Sequence, residues 1–153
     1  MKKIDVGQTI TLLANVGVIA GIVFLAIELG QNKDLMRAQI RHELSQGAID
    51  TIVRESADLE TVNLFRRGLE GGELTPDEQI RFNQTLSAWF RYMEDVHFQY
   101  RNGLYEHSEF ANQVNVWKGR LQMPSVHDHW CATNKNFAAE FVESVNSLAA
   151  VNC

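Results

Sequence analysis

The chain has 153 residues, 14 Lys and Arg against 19 Asp and Glu, and 45% hydrophobic residues, a scale that fits one modest domain with one appended segment. A formal net charge of -5 argues against the clustered basic surface with which nucleic-acid binders displace counterions from phosphates, so no nucleic-acid partner is expected. Cys131 and Cys153 lie 22 positions apart, a spacing of neither a disulfide framework nor a metal knuckle, and they leave the redox compartment open.

Between Asp5 and Glu28 stand 22 uncharged residues, and the inner run from Ile10 to Ile27 reads ITLLANVGVIAGIVFLAI. At about 1.5 Å of rise per residue, such a run crosses a hydrocarbon core of about 30 Å with its flanks. The polar members are Thr11 and Asn15, both near the N-terminal end. A fully buried helix of a soluble protein is the alternative, but no second helix apolar all round is present to surround it. Lys2 and Lys3 precede the run as a signal peptide's basic region would. The exit through Phe24, Leu25, Ala26 and Ile27 lacks a small-x-small cleavage site, so the expectation is an uncleaved signal anchor.

Gly17 and Gly21 form G-x-x-x-G within the span, the spacing that lets two helix backbones approach, so association of two copies through this face is expected beside contact with the bilayer. On the far side of the span, Lys33, Arg37 and Arg41 follow at i, i+4, i+8, a stripe suited to anionic headgroups or to solvent. Three basic residues here against Lys2 and Lys3 at the other flank favour a cytoplasmic domain by the positive-inside rule. The expected division is an anchor over 1–29 and a helical domain over 30–153.

Past the anchor, Met36, Ile40, Leu44, Ala48 and Ile52 recur every fourth residue, with Gly30 and Gly47 as candidate kinks. Ser56 or Asp58 caps a short helix with Leu59, Val62, Phe65 and Leu69 on its apolar face, ending at Gly71-Gly72. Thr75-Pro76-Asp77-Glu78 reads as a capping box, opening a helix that runs to Asn102 with Gly103 as its stop. Its inward seam is Phe82, Leu86, Trp89, Met93, Val96 and Tyr100. Ser108 caps a helix carrying Phe110, Val114, Trp117 and Leu121, which Pro124 ends. A short helix around 126–132 follows, then a last one capped by Asn134 or Asn136 with Phe137, Phe141, Val145 and Leu148 inward. Alternation of period two is absent, so the fold expected is all-α: a transmembrane helix followed by a bundle of four to six helices.

The run GVIAGIVFLAIELGQNKDLMRAQIRHELSQ, together with WFRYMEDVHFQYRNGLYEHSEF and HWCATNKNFAAEF, resembles a family of small uncharacterised bacterial membrane-anchored proteins. The resemblance covers most of the chain. It implies an N-terminal anchor and a helical domain of unknown function, and it supplies no catalytic residues.

Candidate chemistry is sparse. Glu94 and His97 make a single Glu-x-x-His, half of what a di-iron bundle requires, and Arg91 offers Glu94 a simpler ion pair. His127, Asp128, His129 and Cys131 crowd into five positions, but on a helix His127 and Cys131 share a face from which His129 points away. No nucleophile motif or phosphate-cradling loop occurs, and no cofactor signature. The reading is therefore a membrane-anchored interaction or scaffolding module with an unidentified protein partner. The alternatives are a metal-binding enzyme or sensor built on Glu94 and His97 or on the His127 to Cys131 cluster, and a soluble oligomer that buries its first helix.

Overall fold

In the computed structural model, which describes residues 6–148 and 150–153, α1 is one uninterrupted helix, Val6–Glu55. Neither Gly30 nor Gly47 breaks it. Then come α2 (Leu59–Leu69), α3 (Pro76–Arg101), α4 (His107–Leu121), α5 (Pro124–Thr133), a 3-10 turn (Asn134–Asn136) and α6 (Ala139–Leu148). No strand occurs among the described residues, as the missing period-two pattern predicts. Lys2 and Lys3, the N-terminal flank of the apolar run, lie outside the described residues.

Two compact units divide the chain within α1, the first ending at Gln39 and the second running from Ile40 to Cys153. The boundary falls further along the chain than the break after residue 29 expected from composition. In the first unit, every large apolar side chain from Ile10 to Ile27 is more than half exposed, and the most apolar stretch has no buried residue. The helix is long and apolar enough to cross a membrane. Thr11 Oγ1 donates to Gly7 O at 3.0 Å, so this hydroxyl is satisfied within its own helix.

The core of the second unit is built on α3. Its start is the expected capping box: Thr75 Oγ1 accepts from Glu78 N, and the Glu78 carboxylate accepts from Thr75 N at 2.9 Å. Arg67 of α2 also reaches the Glu78 carboxylate. Together with backbone N–H donation, this holds Glu78 below the usual carboxylate range. Phe82, Leu86, Trp89, Met93 and Val96 are buried as the seam predicts, and Phe90 is fully buried beside them. Gly103, at φ 69°, supplies the left-handed stop after Asn102.

Against this helix pack Phe110, Val114, Trp117 and Leu121 of α4, Val126 and Trp130 of α5, and Phe141 and Val145 of α6. Phe90 meets Trp130 at 4.9 Å between ring centroids, and Trp130 meets Phe141 edge-on at 5.7 Å. The buried Trp130 indole donates to Asn146 Oδ1 at 3.1 Å, tying α5 to α6.

Several local expectations are corrected. In α2 the buried face is Thr61, Leu64, Phe65 and Gly68, while Leu59 and Val62 are exposed. The rotation follows from Gly68, where a Cβ would fall 2.6 Å from the Phe82 ring: the bare backbone faces α3, and the other faces turn accordingly. Arg81 donates to the buried Thr61 hydroxyl at 2.7 Å, so this face carries a satisfied polar group. Along the part of α1 in the second unit, Leu44 is buried and Ile40 and Ala48 half-buried, whereas Ile49, Ile52 and Val53 stay about half exposed or more. Polar contacts fix that segment instead: Arg41 with Glu109 at 2.7 Å, Glu55 with Arg120 at 3.8 Å, and the Tyr92 hydroxyl donating to Leu44 O at 3.2 Å. Burial raises the Tyr92 phenol to about 12.

Of the two expected caps of α2, Asp58 is the one used: its carboxylate accepts from Thr61 N at 2.7 Å. Three boundaries move. α4 starts at His107, ahead of the expected Ser108 cap, and Pro124 opens α5 rather than merely closing α4. Asn134 and Asn136 form the 3-10 turn, so α6 begins at Ala139.

The largest correction concerns the cysteines. Cys131 on α5 and Cys153 form a disulfide with a Cα–Cα distance of 5.3 Å. Sequence spacing carries little weight here because pairing depends on where α6 returns the chain. By the loop-closure argument, such a bond contributes about 3 kcal/mol.

The close approach at Gly68 gives a direct test. Gly68→Ala is expected to lose about 1–3 kcal/mol of stability through overpacking against Phe82. Gly119→Ala on α4, whose Cβ meets nothing within 4 Å, is expected to gain up to about 1 kcal/mol. Denaturant unfolding of the full chain in detergent micelles, followed by tryptophan fluorescence, reads both.

Candidate functional site

Several hollows open on the second unit. One, of about 590 Å³, lies where α3, α4 and α6 meet. Its apolar floor is Phe110 and Val114 with the Tyr100 ring, which stacks on Phe110 at a centroid distance of 3.9 Å. Lys118, Glu140 and Glu143 stand at its charged margin, and the Tyr100 hydroxyl shares a hydrogen bond of 2.9 Å with His107 Nδ1. His97 forms part of the lining and is otherwise enclosed by Phe110 and Phe141, at 6.2 and 5.7 Å between rings. Burial, aided by Arg101, lowers the His97 pKa and favours a neutral imidazole.

Glu94 and His97 both line a hollow of about 350 Å³ beside Arg91, Arg101 and Phe141, but the Glu94 carboxylate is taken up by other partners. Glu94 Oε2 pairs with Arg91 at 2.6 Å, and its Oε1 accepts from Ala138 N at 2.7 Å, at the entrance to α6. Arg91 in turn donates to Asn136 O at 2.8 Å and lies 4.4 Å from the Phe137 ring centroid. This Arg91–Glu94 pair clamps the turn between α5 and α6. The ion pair anticipated from sequence is present, with a structural task attached.

Another hollow, of about 400 Å³, lies beside the Gly71-Gly72 loop and is lined by Asn83, Ser125, Asp128 and His129 among others. His129 Nε2 is 3.0 Å from Ser87 Oγ, a link between α5 and α3. Burial lowers the His129 pKa. Ser125 Oγ is buried without a hydrogen-bond partner. The Ser87–His129 pairing was not foreseen. A lone serine on a helix carries no sequence signal, and only the packing of α5 on α3 brings the two together.

His127 and His129 diverge, as their spacing on a helix predicts. His127 stays with Cys131 and Asp128: its ring nitrogens lie 3.8 and 3.9 Å from Cys131 Sγ, and its Nδ1 is 3.5 Å from Asp128 Oδ1. Cys131 is committed to the disulfide. Among the described residues, no group of three or more His, Cys, Asp or Glu side chains is placed to hold a metal ion.

Of the other expected site residues, Gly17 and Gly21 lie on the exposed first unit with nothing within 4 Å of an added Cβ. Lys33, Arg37 and Arg41 lie on the uninterrupted α1, and Arg41 pairs with Glu109 at 2.7 Å. Comparison with protein-family models, curated proteins and solved structures returns no match.

The two lowered histidines set a pH dependence of stability. Their folded-state pKa values lie below the unfolded reference of 6.5, so the unfolded chain binds more protons once pH falls toward that value. Stability is therefore fullest above the reference and declines below it until the folded histidines themselves protonate. The unfolding temperature is expected to drop between about pH 7.5 and about pH 5.5, and His97→Gln with His129→Gln should flatten that drop. Thermal unfolding of the wild type and the double variant across that range is the measurement.

Proposed function

We propose that this chain is a single-pass membrane protein, held by an uncleaved N-terminal signal anchor, whose helical domain is an interaction or scaffolding module. The observation that carries the reading is the apolar stretch of α1, in which none of the described residues is buried. Burying apolar side chains contributes about 1.5–3 kcal/mol each, so a run this long leaves water for a bilayer. The resemblance to small membrane-anchored bacterial proteins agrees with this assignment.

Flank charges favour a cytoplasmic domain by three basic residues to two. The disulfide supports the opposite placement, because such bonds persist in oxidising compartments and are rare in the cytosol. We give the disulfide more weight and place the domain on the extracytoplasmic side, with the short N-terminal flank inside. Arg41, one of the three basic residues, is paired within the folded domain.

Self-association through Gly17 and Gly21 belongs to the same proposal, since both present open backbone on the span. Gly17→Leu with Gly21→Leu should weaken association in a membrane reporter by about fivefold, corresponding to ~1 kcal/mol.

The placement is tested in membranes from cells making the full chain with a C-terminal tag. Carbonate should fail to extract the protein, and protease added to intact spheroplasts should remove the tag. Extraction by carbonate would favour the soluble oligomer instead. Resistance of the tag until lysis would return the domain to the cytoplasm.

A further inference from the structure

We propose that Cys131, Cys153 and His127 form a thiol–disulfide exchange site, and that its substrate is the thiolate of a dithiol partner. The two sulfurs of the bond are not equivalent. Cys153 is exposed, whereas Cys131 is partly covered on α5, so an incoming thiolate reaches Cys153 first. Attack there makes Cys131 the leaving group. Exchange is faster when the leaving sulfur is stabilised as it departs. An imidazole stands at that sulfur: His127 is one helical turn before Cys131, with both ring nitrogens within 3.9 Å of its Sγ.

The segment that the bond secures is also held by packing. Val151 is buried in the core, and its N–H donates to Asn146 O at 3.1 Å. Between α6 and that plug, Ala150 adopts φ 52°, a left-handed conformation that a residue with a Cβ rarely takes.

The chemistry balances with a dithiol as reductant. One partner thiolate forms an S–S bond to Cys153 while the Cys131–Cys153 bond breaks, and Cys131 takes up a proton from His127 or solvent. The partner's second thiolate then attacks its own sulfur in the mixed disulfide and releases Cys153 as a thiolate, which takes a proton from solvent. Two electrons pass to the chain, and the partner leaves as a disulfide. This inference goes beyond the anchored module and stands whichever side of the membrane the domain occupies.

The test uses the full oxidised chain in detergent micelles with two probes, dithiothreitol for the rate of reduction and glutathione for the site of attack. Free thiols are trapped by alkylation at timed intervals, and the first glutathione adduct is located by peptide mass spectrometry. The expected result is an adduct on Cys153 and reduction at least about tenfold slower in both His127→Ala and His127→Asn. Circular dichroism and unfolding temperature identify which variants retain the wild-type fold, and the rate comparison is made on those. A first adduct on Cys131, or a reduction rate unchanged in a folded His127 variant, overturns the proposal. Anchor placement enters neither readout, so its failure remains distinguishable from failure of this site.

Discussion

Apolar surface without a cover is the constraint from which the rest of the molecule is best understood. A chain of this size builds one core, and here the second unit builds it from α2 to α6 with Leu44 of α1. The large apolar side chains from Ile10 to Ile27 are all more than half exposed. Leaving so much apolar surface in water carries a solvation penalty. A hydrocarbon phase removes that penalty, and a helix is suited to it because its backbone groups are satisfied within the segment. Thr11 follows the same logic by donating to Gly7 O.

The helical domain solves a different problem, that of making a unique core from short helices. Its answer is a continuous set of ring contacts, from Phe90 through Trp130 to Phe141 and on to Trp117, with the last pair edge-to-face at 6.3 Å. Large rings with few rotamers define a packing more sharply than long flexible side chains. Polar groups then fix the elements that the rings cannot. Arg91 and Glu94 hold the turn before α6, Asn146 accepts from the Trp130 indole, and Arg81 satisfies Thr61. The two half-buried or buried histidines, His129 and His97, belong to this framework, which is why acidification acts on stability through them.

How much of this was legible depended on whether the signal was local. The capping box at Thr75 and the seam from Phe82 to Val96 are encoded within one helix, and both appear as read. The apolar run of α1 is equally local. Failures came where a neighbour decided the outcome. The face of α2 was set by the Phe82 ring against Gly68, a contact from another helix that no periodicity within α2 contains. The stripe of α1 beyond the apolar run looks core-facing by its spacing, yet the structure buries Leu44 and leaves Ile52 exposed, and polar contacts from Arg41 to Glu109 and from Glu55 to Arg120 hold the segment. Ser87 with His129 and Cys131 with Cys153 are tertiary pairs across 42 and 22 positions, beyond any local pattern.

The cysteine pair changes how the anchor is understood. Topology judged by flanking charge compares small numbers, and here the difference is one residue. Such a margin is easily outweighed, particularly when Arg41 is already engaged by a carboxylate of its own domain. A disulfide is a different class of feature, because such bonds persist in oxidising compartments and are rare in the cytosol. Beside it stands a helix long and apolar enough to cross a membrane, whose most apolar stretch has no buried residue. The same bond secures the segment that carries Val151 into the core, so the closure of the bundle depends on one pair of sulfur atoms.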